Sequence, residues 1–308
     1  MFAGSITALI TPFKENSTID WSSLDDLVEW HISSGTDALV VNGTTGEAAT
    51  LTEEEKLATL ARVLERVAGR MPVIAGTGSS STALSIKQTR QAAKIGAAAC
   101  LIVTPYYNRP TQEGLYQHYL AIAEQVAIPI IVYNVPKRTG CDLLPITLGR
   151  LACLKNIIGI KDATGDLDRV KAQQALTPDR FTMLSGDDLT ALDFMLAGGH
   201  GVISVVANAA PATMSALCRA ALDRQIDKAL ALNQSLRQLC DALQAETNPI
   251  TIKWLLAHMG KIENVLRLPL TQLAQPYHSL LAPWRDRVNL MEAQNAKPVI
   301  VCEEANYV

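Results

Sequence analysis

The 308-residue sequence lacks the paired cysteines of a disulfide framework or a zinc site: Cys100, Cys141, Cys153, Cys218, Cys240 and Cys302 stand singly, with no C-x-x-C among them. That favours a reduced compartment. There is no H-E-x-x-H and no pair of carboxylates around His31, His118 or His200, so no metal site is indicated. A large excess of charge of one sign is also missing: 27 basic residues face 30 acidic ones for a net −3, which gives no electrostatic case for nucleic acid. No apolar run approaches the roughly 18 residues that cross a bilayer, and no basic leader precedes Ser5. The expectation is a soluble, unexported, cytoplasmic protein with no membrane partner.

With 48% hydrophobic and 19% charged residues, the chain is not of disordered composition. Its length suits two domains of about 150 residues, or one α/β barrel of about 250 with an appendage. Eight short runs rich in Val and Ile, each closed by turn-forming residues, begin near Ser5, Ala38, Val73, Cys100, Pro129, Ile157, Phe181 and Gly201. Seven intervals cover 196 residues, a mean of 28, the scale of a strand with its crossover helix. Most runs are apolar on consecutive residues, as parallel strands covered on both faces should be. Between them, Asp20 can start a helix that stops at Gly35, Thr52–Glu55 reads as a capping box, and a helix after Ser81 stops at Gly96. The pattern predicts an α/β fold, a closed (β/α)8 TIM barrel. An open doubly wound sheet is the second choice, weakened because no G-x-G-x-x-G opens the first helix. From Pro211 to Leu281 only helical spacing remains, with Asn248-Pro249 as an N-cap and first helical position and Arg267–Pro269 as a break. The domain reading is a catalytic barrel over residues 1–225, a helical subdomain over 226–295 and a tail, 296–308, without assigned role.

Barrel chemistry belongs at the C-terminal ends of strands. Lys161 closes the apolar run Ile157–Ile160, whereas the other eleven lysines fall on segments where solvation looks easy. An ammonium placed in an apolar barrel mouth loses affinity for its proton and can attack a carbonyl to form a Schiff base. The alternative is a structural lysine paired with Asp162 or Glu47. Tyr133 closes the preceding run and, with Thr44, Thr45 and Tyr107, offers hydroxyls for proton relay; each also has an ordinary structural use. The Thr44–Glu47 turn can present backbone N–H groups to a carboxylate, or be a plain β-to-α turn. Gly76–Ser79 lacks the lysine of a phosphate loop and reads as a tight turn. Arg138, in YNVPKRTG, offers a fork to a second carboxylate, or is a solvated loop arginine.

The ordered segments GSITALITPF, VNGTTGEAATL, VIAGTGS, VTPYYNRPTQEGLYQHY, YNVPKRTGCDL, IIGIKDATGD, LSGDD, GGHGVISV and NPITIKWLL resemble the dihydrodipicolinate synthase family, within the N-acetylneuraminate lyase superfamily, from about Phe2 to Leu281. The resemblance implies a Schiff base between Lys161 and pyruvate, and a proton relay of Thr44, Tyr133 and Tyr107, the last reaching in from a neighbouring subunit. It further implies that Thr45 holds the pyruvate carboxylate, that Arg138 binds the carboxylate of L-aspartate 4-semialdehyde, and that Gly186 and Ile203 shape the pocket through backbone atoms. No organic cofactor is implied. The partners would be the two substrates and a second copy of the chain, at least a homodimer, with a homotetramer of paired dimers expected. The implied activity is the condensation that opens lysine and diaminopimelate biosynthesis. Sugar-acid lyases of the same superfamily, and a silent keto-acid sensor, are the alternatives; the first lacks an equivalent of Arg138, the second would lose Lys161 or Tyr133. An effector cleft is matched by Ala48, Ala49, Glu53, Lys56, Ser80, Leu84 and Tyr106. Leu84 stands where a carboxylate is expected and Lys56 adds like charge, so inhibition by lysine should be weak or absent.

Overall fold

A computed structural model describes residues 2–296. Eight strands, β1 (Gly4–Ala8), β2 (Ala38–Val41), β3 (Val73–Gly76), β4 (Ala99–Val103), β5 (Ile130–Asn134), β6 (Ile157–Asp162), β7 (Thr182–Ser185) and β8 (Gly201–Ser204), pair in sequence order and in parallel. β1 also pairs with β8, which closes the barrel. Alternation along each strand divides the apolar side chains in two. Ile6, Val40, Ile74, Leu101, Ile131 and Leu184 fill the interior, while Leu39, Val73, Ile102, Val132, Ile160 and Val202 pack under the helices. Both faces are therefore buried, which is why the runs are continuously apolar.

The helices are α1 (Trp21–Ser34), α2 (Glu53–Val67), α3 (Thr82–Ile95), α4 (Gln112–Gln125), α5 (Pro136–Thr139), α6 (Pro145–Leu151), α7 (Asp168–Leu176), α8 (Ala191–Leu196) and α9 (Pro211–Leu222) around the barrel, then α10 (Ile226–Leu243), α11 (Ile250–His258), α12 (His278–Leu281) and α13 (Trp284–Asn295). Local chemistry sets their ends. Asp20 accepts from the Ser23 N–H at the start of α1, and Gly35 ends it at φ 79°. Thr52 and Glu55 form the reciprocal capping box of α2. α9 lies against β1, α1 and α8 and closes the helical ring, while α10 packs on α9.

One expectation about the C-terminal part needs correction. Pro249 is the N-cap of α11 and not its first residue, and the Asn248–Pro249 peptide is cis. Asn248 does not cap, because its amide is drawn into the barrel mouth, where Nδ2 donates to Thr45 Oγ1 at 3.0 Å. After Asn289 the chain continues α13 through Asn295. There Glu292 accepts from the N–H groups of Ala212 (2.9 Å) and Thr213 (3.0 Å) and from the Thr213 hydroxyl (2.7 Å), capping α9 from a distant helix. Residues 297–308, with Cys302, lie outside the described residues. The five cysteines among the described residues are unbridged, and no helix among them is long and apolar enough to cross a membrane.

Candidate active site

Because Ile160 faces the helices, Lys161 faces the barrel axis, and the β5–β6 register sets it directly beside Tyr133. Its Nζ lies 4.3 Å from the centroid of the Tyr133 ring. Lys161 is only 6% exposed and forms no salt bridge among the described residues. Asp162 is engaged elsewhere, accepting from Gln173 Nε2 and from the Thr164 N–H and hydroxyl, with Arg169 Nε at 3.6 Å. Glu47 pairs with Lys253. The structural-lysine alternative thus loses both of its partners. Burial is the main cause that brings the Lys161 ammonium down to about 8; Asp188 opposes this and Arg138 adds to it.

Around this amine a cavity of about 690 Å³ opens at the C-terminal ends of the strands. Thr44, Thr45, Tyr133, Arg138, Lys161 and Gly186 all line it. Burial raises the affinity of the Tyr133 phenol for its proton, while the Arg138 charge and a hydrogen bond with Thr44 pull the other way. Gly186 permits the close packing: a Cβ there would come within 2.9 Å of Lys161 Cε and 2.8 Å of Ala163 Cβ. In the turn after β2 the N–H groups of Gly46 and Glu47 bond back to the carbonyls of Gly43 and Thr44. The Thr44 and Thr45 N–H groups have no such partner among the described residues and are the two free to meet an anion. Arg138 stands on the short helix α5, and its Nη2 donates to the Asn248 carbonyl at 3.1 Å.

Two candidates lie outside this cluster. Tyr107 is 94% exposed with φ 73° and does not line the cavity of its own chain. Ile203 sits in the apolar barrel interior, and at this strand the cavity wall is made by Val205 and Val206. Of the effector-cleft positions, Ala48, Ala49, Lys56 and Tyr106 line the same cavity. Leu84 is 37% exposed, and the Ser80 carbonyl accepts from Asn108 Nδ2 at 3.0 Å. The Glu53 carboxylate is taken by Lys87 (2.8 Å) and Gln91 (2.7 Å).

A family model described as the dihydrodipicolinate synthetase family matches residues 1–282. The chain belongs to the dihydrodipicolinate synthetase family. A curated relative from Methylococcus capsulatus, named 4-hydroxy-tetrahydrodipicolinate synthase, is 55% identical over 89% of this chain and 94% of its own. Among solved structures, the chloride-inhibited dihydrodipicolinate synthase of Acinetobacter baumannii, complexed with pyruvate, is 48% identical with a TM-score of 0.92, over 94% of this chain and 99% of that one. A monomeric dihydrodipicolinate synthase variant is 44% identical with a TM-score of 0.90, over 95% and 97%.

Three residues in and around this cavity escaped the sequence reading. Asn248 bridges Thr45 and Arg138 from the appendage. Asp188 lines the cavity, its Oδ2 accepting from the N–H groups of Val205 (2.9 Å) and Val206 (3.1 Å), and burial pushes its carboxyl upward. Lys253, grouped with the easily solvated lysines, is fully buried; its neighbours Ile252, Trp254 and Leu255 carried the same signal as those of Lys161.

Proposed function

We propose that this protein condenses pyruvate with L-aspartate 4-semialdehyde through a Schiff base on Lys161, as a 4-hydroxy-tetrahydrodipicolinate synthase. The observation that carries the reading is a buried lysine amine, without a salt bridge among the described residues and held at about 8, beside a buried phenol in a cavity that also presents Arg138. At neutral pH about one such amine in ten is free to attack, against roughly one in three thousand for an ordinary lysine. Nζ adds to the keto carbon, and the carbinolamine loses water to give an iminium. Loss of a methyl proton gives the enamine, whose carbon attacks the aldehyde. The substrate amine then closes on the former keto carbon and displaces Lys161, so one water leaves per cycle. Tyr133, with Thr44, moves the protons; the Thr44–Thr45 turn receives the pyruvate carboxylate, and Arg138 receives that of the semialdehyde.

Tyr107 completes the relay of a second copy, and its exposure away from its own Lys161 supports that exchange. The working assembly is at least a homodimer, with paired dimers expected; because one similar structure is a monomeric variant, this rests on Tyr107 and not on the fold. Residues 1–225 form the catalytic barrel and 226–295 a subdomain that trims its mouth through Asn248. A cytoplasmic setting fits a biosynthetic relative without a membrane-crossing helix among the described residues. Lys161 and Tyr133 both in place oppose a sensor, and Arg138 together with relatives named as synthases opposes a sugar-acid lyase.

The test is an intact-mass spectrum after borohydride reduction with pyruvate, on the parent and on Lys161→Ala, followed by a coupled assay with L-aspartate 4-semialdehyde. A pyruvate adduct on the parent only, with turnover, is expected. An adduct without turnover moves the protein to another keto-acid aldolase; no adduct overturns the Schiff-base reading.

A further inference from the structure

The turn that carries Thr44 and Thr45 is bounded by two non-glycine residues in the left-handed region, Asn42 at φ 59° and Glu47 at φ 54°. Such conformations persist only where the surroundings over-determine them. At one end, Asn42 Nδ2 donates to the Lys56 carbonyl of α2 at 2.8 Å. At the other, every polar group of Glu47 is engaged. Its N–H donates to the Thr44 carbonyl, its carbonyl accepts from Thr50, Oε2 accepts from the Arg267 N–H at 3.0 Å, and Oε1 receives Lys253 Nζ at 2.6 Å. Both side chains of this ion pair are 0% exposed. Lys253 Nζ also donates to the Thr11 carbonyl at 3.0 Å and stands 4.3 Å from the centroid of Phe13. The same helix start supplies Asn248 to Thr45. The appendage thus grips the turn at two points, one of them a charge pair with no access to water.

We propose that the Lys253–Glu47 ion pair is a positioning device for the reaction proposed above: α11 holds residues 42–47 in their strained conformation so that Thr44 meets Tyr133 and Thr45 meets the pyruvate carboxylate. Neither residue lines up with a reacting atom; both act through the turn. A buried charge pair is a poor stabiliser compared with apolar replacements of similar size. Its value here is directional, since a carboxylate held by Lys253 on one chain segment and by the Arg267 N–H on another fixes where the turn ends.

This inference rests on the proposed function for its catalytic consequence, but the tether itself is read without substrate. The variants are Glu47→Gln, Lys253→Met and the double Glu47→Gln/Lys253→Met, the last removing both buried charges so that folding survives if Lys253→Met alone does not fold. In the double variant, hydrogen exchange of peptides covering residues 42–51 is expected to accelerate on the order of tenfold while the rest of the barrel keeps its protection. Its kcat/KM for pyruvate should fall on the order of tenfold, with the semialdehyde KM within about twofold of the parent. A structural role alone would restore exchange and pyruvate kinetics together with the melting temperature; that result, or parent-like exchange in a folded Glu47→Gln, overturns the proposal. A parent that forms no pyruvate adduct overturns the catalytic reading instead, and the exchange measurement still decides the tether.

Discussion

Replacing Lys161 by Met should make the protein more stable while ending its chemistry. In the folded state burial brings the ammonium from its ordinary 10.5 down to about 8. That difference corresponds to a folding cost of about 3 kcal/mol wherever the amine is protonated in both states. The sign follows from proton counting. Between about pH 8 and 10.5 the unfolded chain holds a proton that the folded one has lost, so stability rises with pH across that window. Below it the cost is present in full, and above it the cost has vanished. Methionine has a similar length and no charge, and Lys161 has no salt-bridge partner among the described residues that would be stranded. The melting temperature at pH 7 and fixed protein concentration should therefore rise by roughly 5 °C for a chain of this size. The parent-to-variant gap should shrink steadily from pH 8 and close near 10.5. Lys253 is also held at about 8 but is common to both proteins, so the difference isolates Lys161. A variant less stable than the parent at pH 7, or a gap of constant size with pH, would refute the claim that an uncompensated burial of charge activates this amine.

Tyr133→Phe should leave the fold intact and lower kcat by about 10²–10⁴-fold, the range of a lost general acid–base group, while borohydride still traps pyruvate slowly; parent-like turnover would remove the phenol from the relay. Gly186→Ala places a Cβ 2.9 Å from Lys161 Cε, so pyruvate adduct formation should drop on the order of tenfold or more, measured by timed mass spectrometry; an unchanged rate would mean that Lys161 does not need that space. In Arg138→Leu the semialdehyde KM should rise on the order of a hundredfold as a charge-assisted contact is lost, with the yield of pyruvate adduct kept; equal loss of both would place Arg138 on pyruvate instead. Lysine as an effector should leave activity unchanged up to millimolar concentration, because Leu84 supplies no carboxylate and that of Glu53 is committed to Lys87 and Gln91; inhibition at sub-millimolar lysine would show that the Glu53 carboxylate can be released.

The barrel was readable because its determinants are local. Val and Ile runs at regular intervals, a capping box at Thr52–Glu55 and glycine stops at Gly35 and Gly96 each act within one turn or strand. Lys161 was readable for a related reason: a charge ending an apolar strand is conspicuous. What stayed hidden depends on contacts between distant segments. Asn248 reaches Thr45 across 203 positions and Lys253 reaches Glu47 across 206, and nothing near either residue names its partner. Lys253 nevertheless sits in the apolar run ITIKWLL, so its burial was discoverable even though its carboxylate was not. Local chemistry assigned Asn248 and Pro249 to a helix start, and the pull of the barrel mouth on the Asn248 amide displaced that start by one residue. Tyr107 is the converse case, since a motif placed it in the site and a left-handed backbone carries it outward.

Glu292 gives the fold a dependence on the order of synthesis. The helix that completes the barrel ring, α9, finds the acceptor for its Ala212 N–H 80 positions further along the chain. A ribosome that has released all eight strands has therefore not yet released the group that satisfies the last helix laid over them. Until α13 emerges, the N–H groups of Ala212 and Thr213 have only water to receive them. The barrel made before α13 therefore lacks one capping interaction, worth about 1 kcal/mol. Helix α13 thus adds a cap to a ring whose other pieces are made before it.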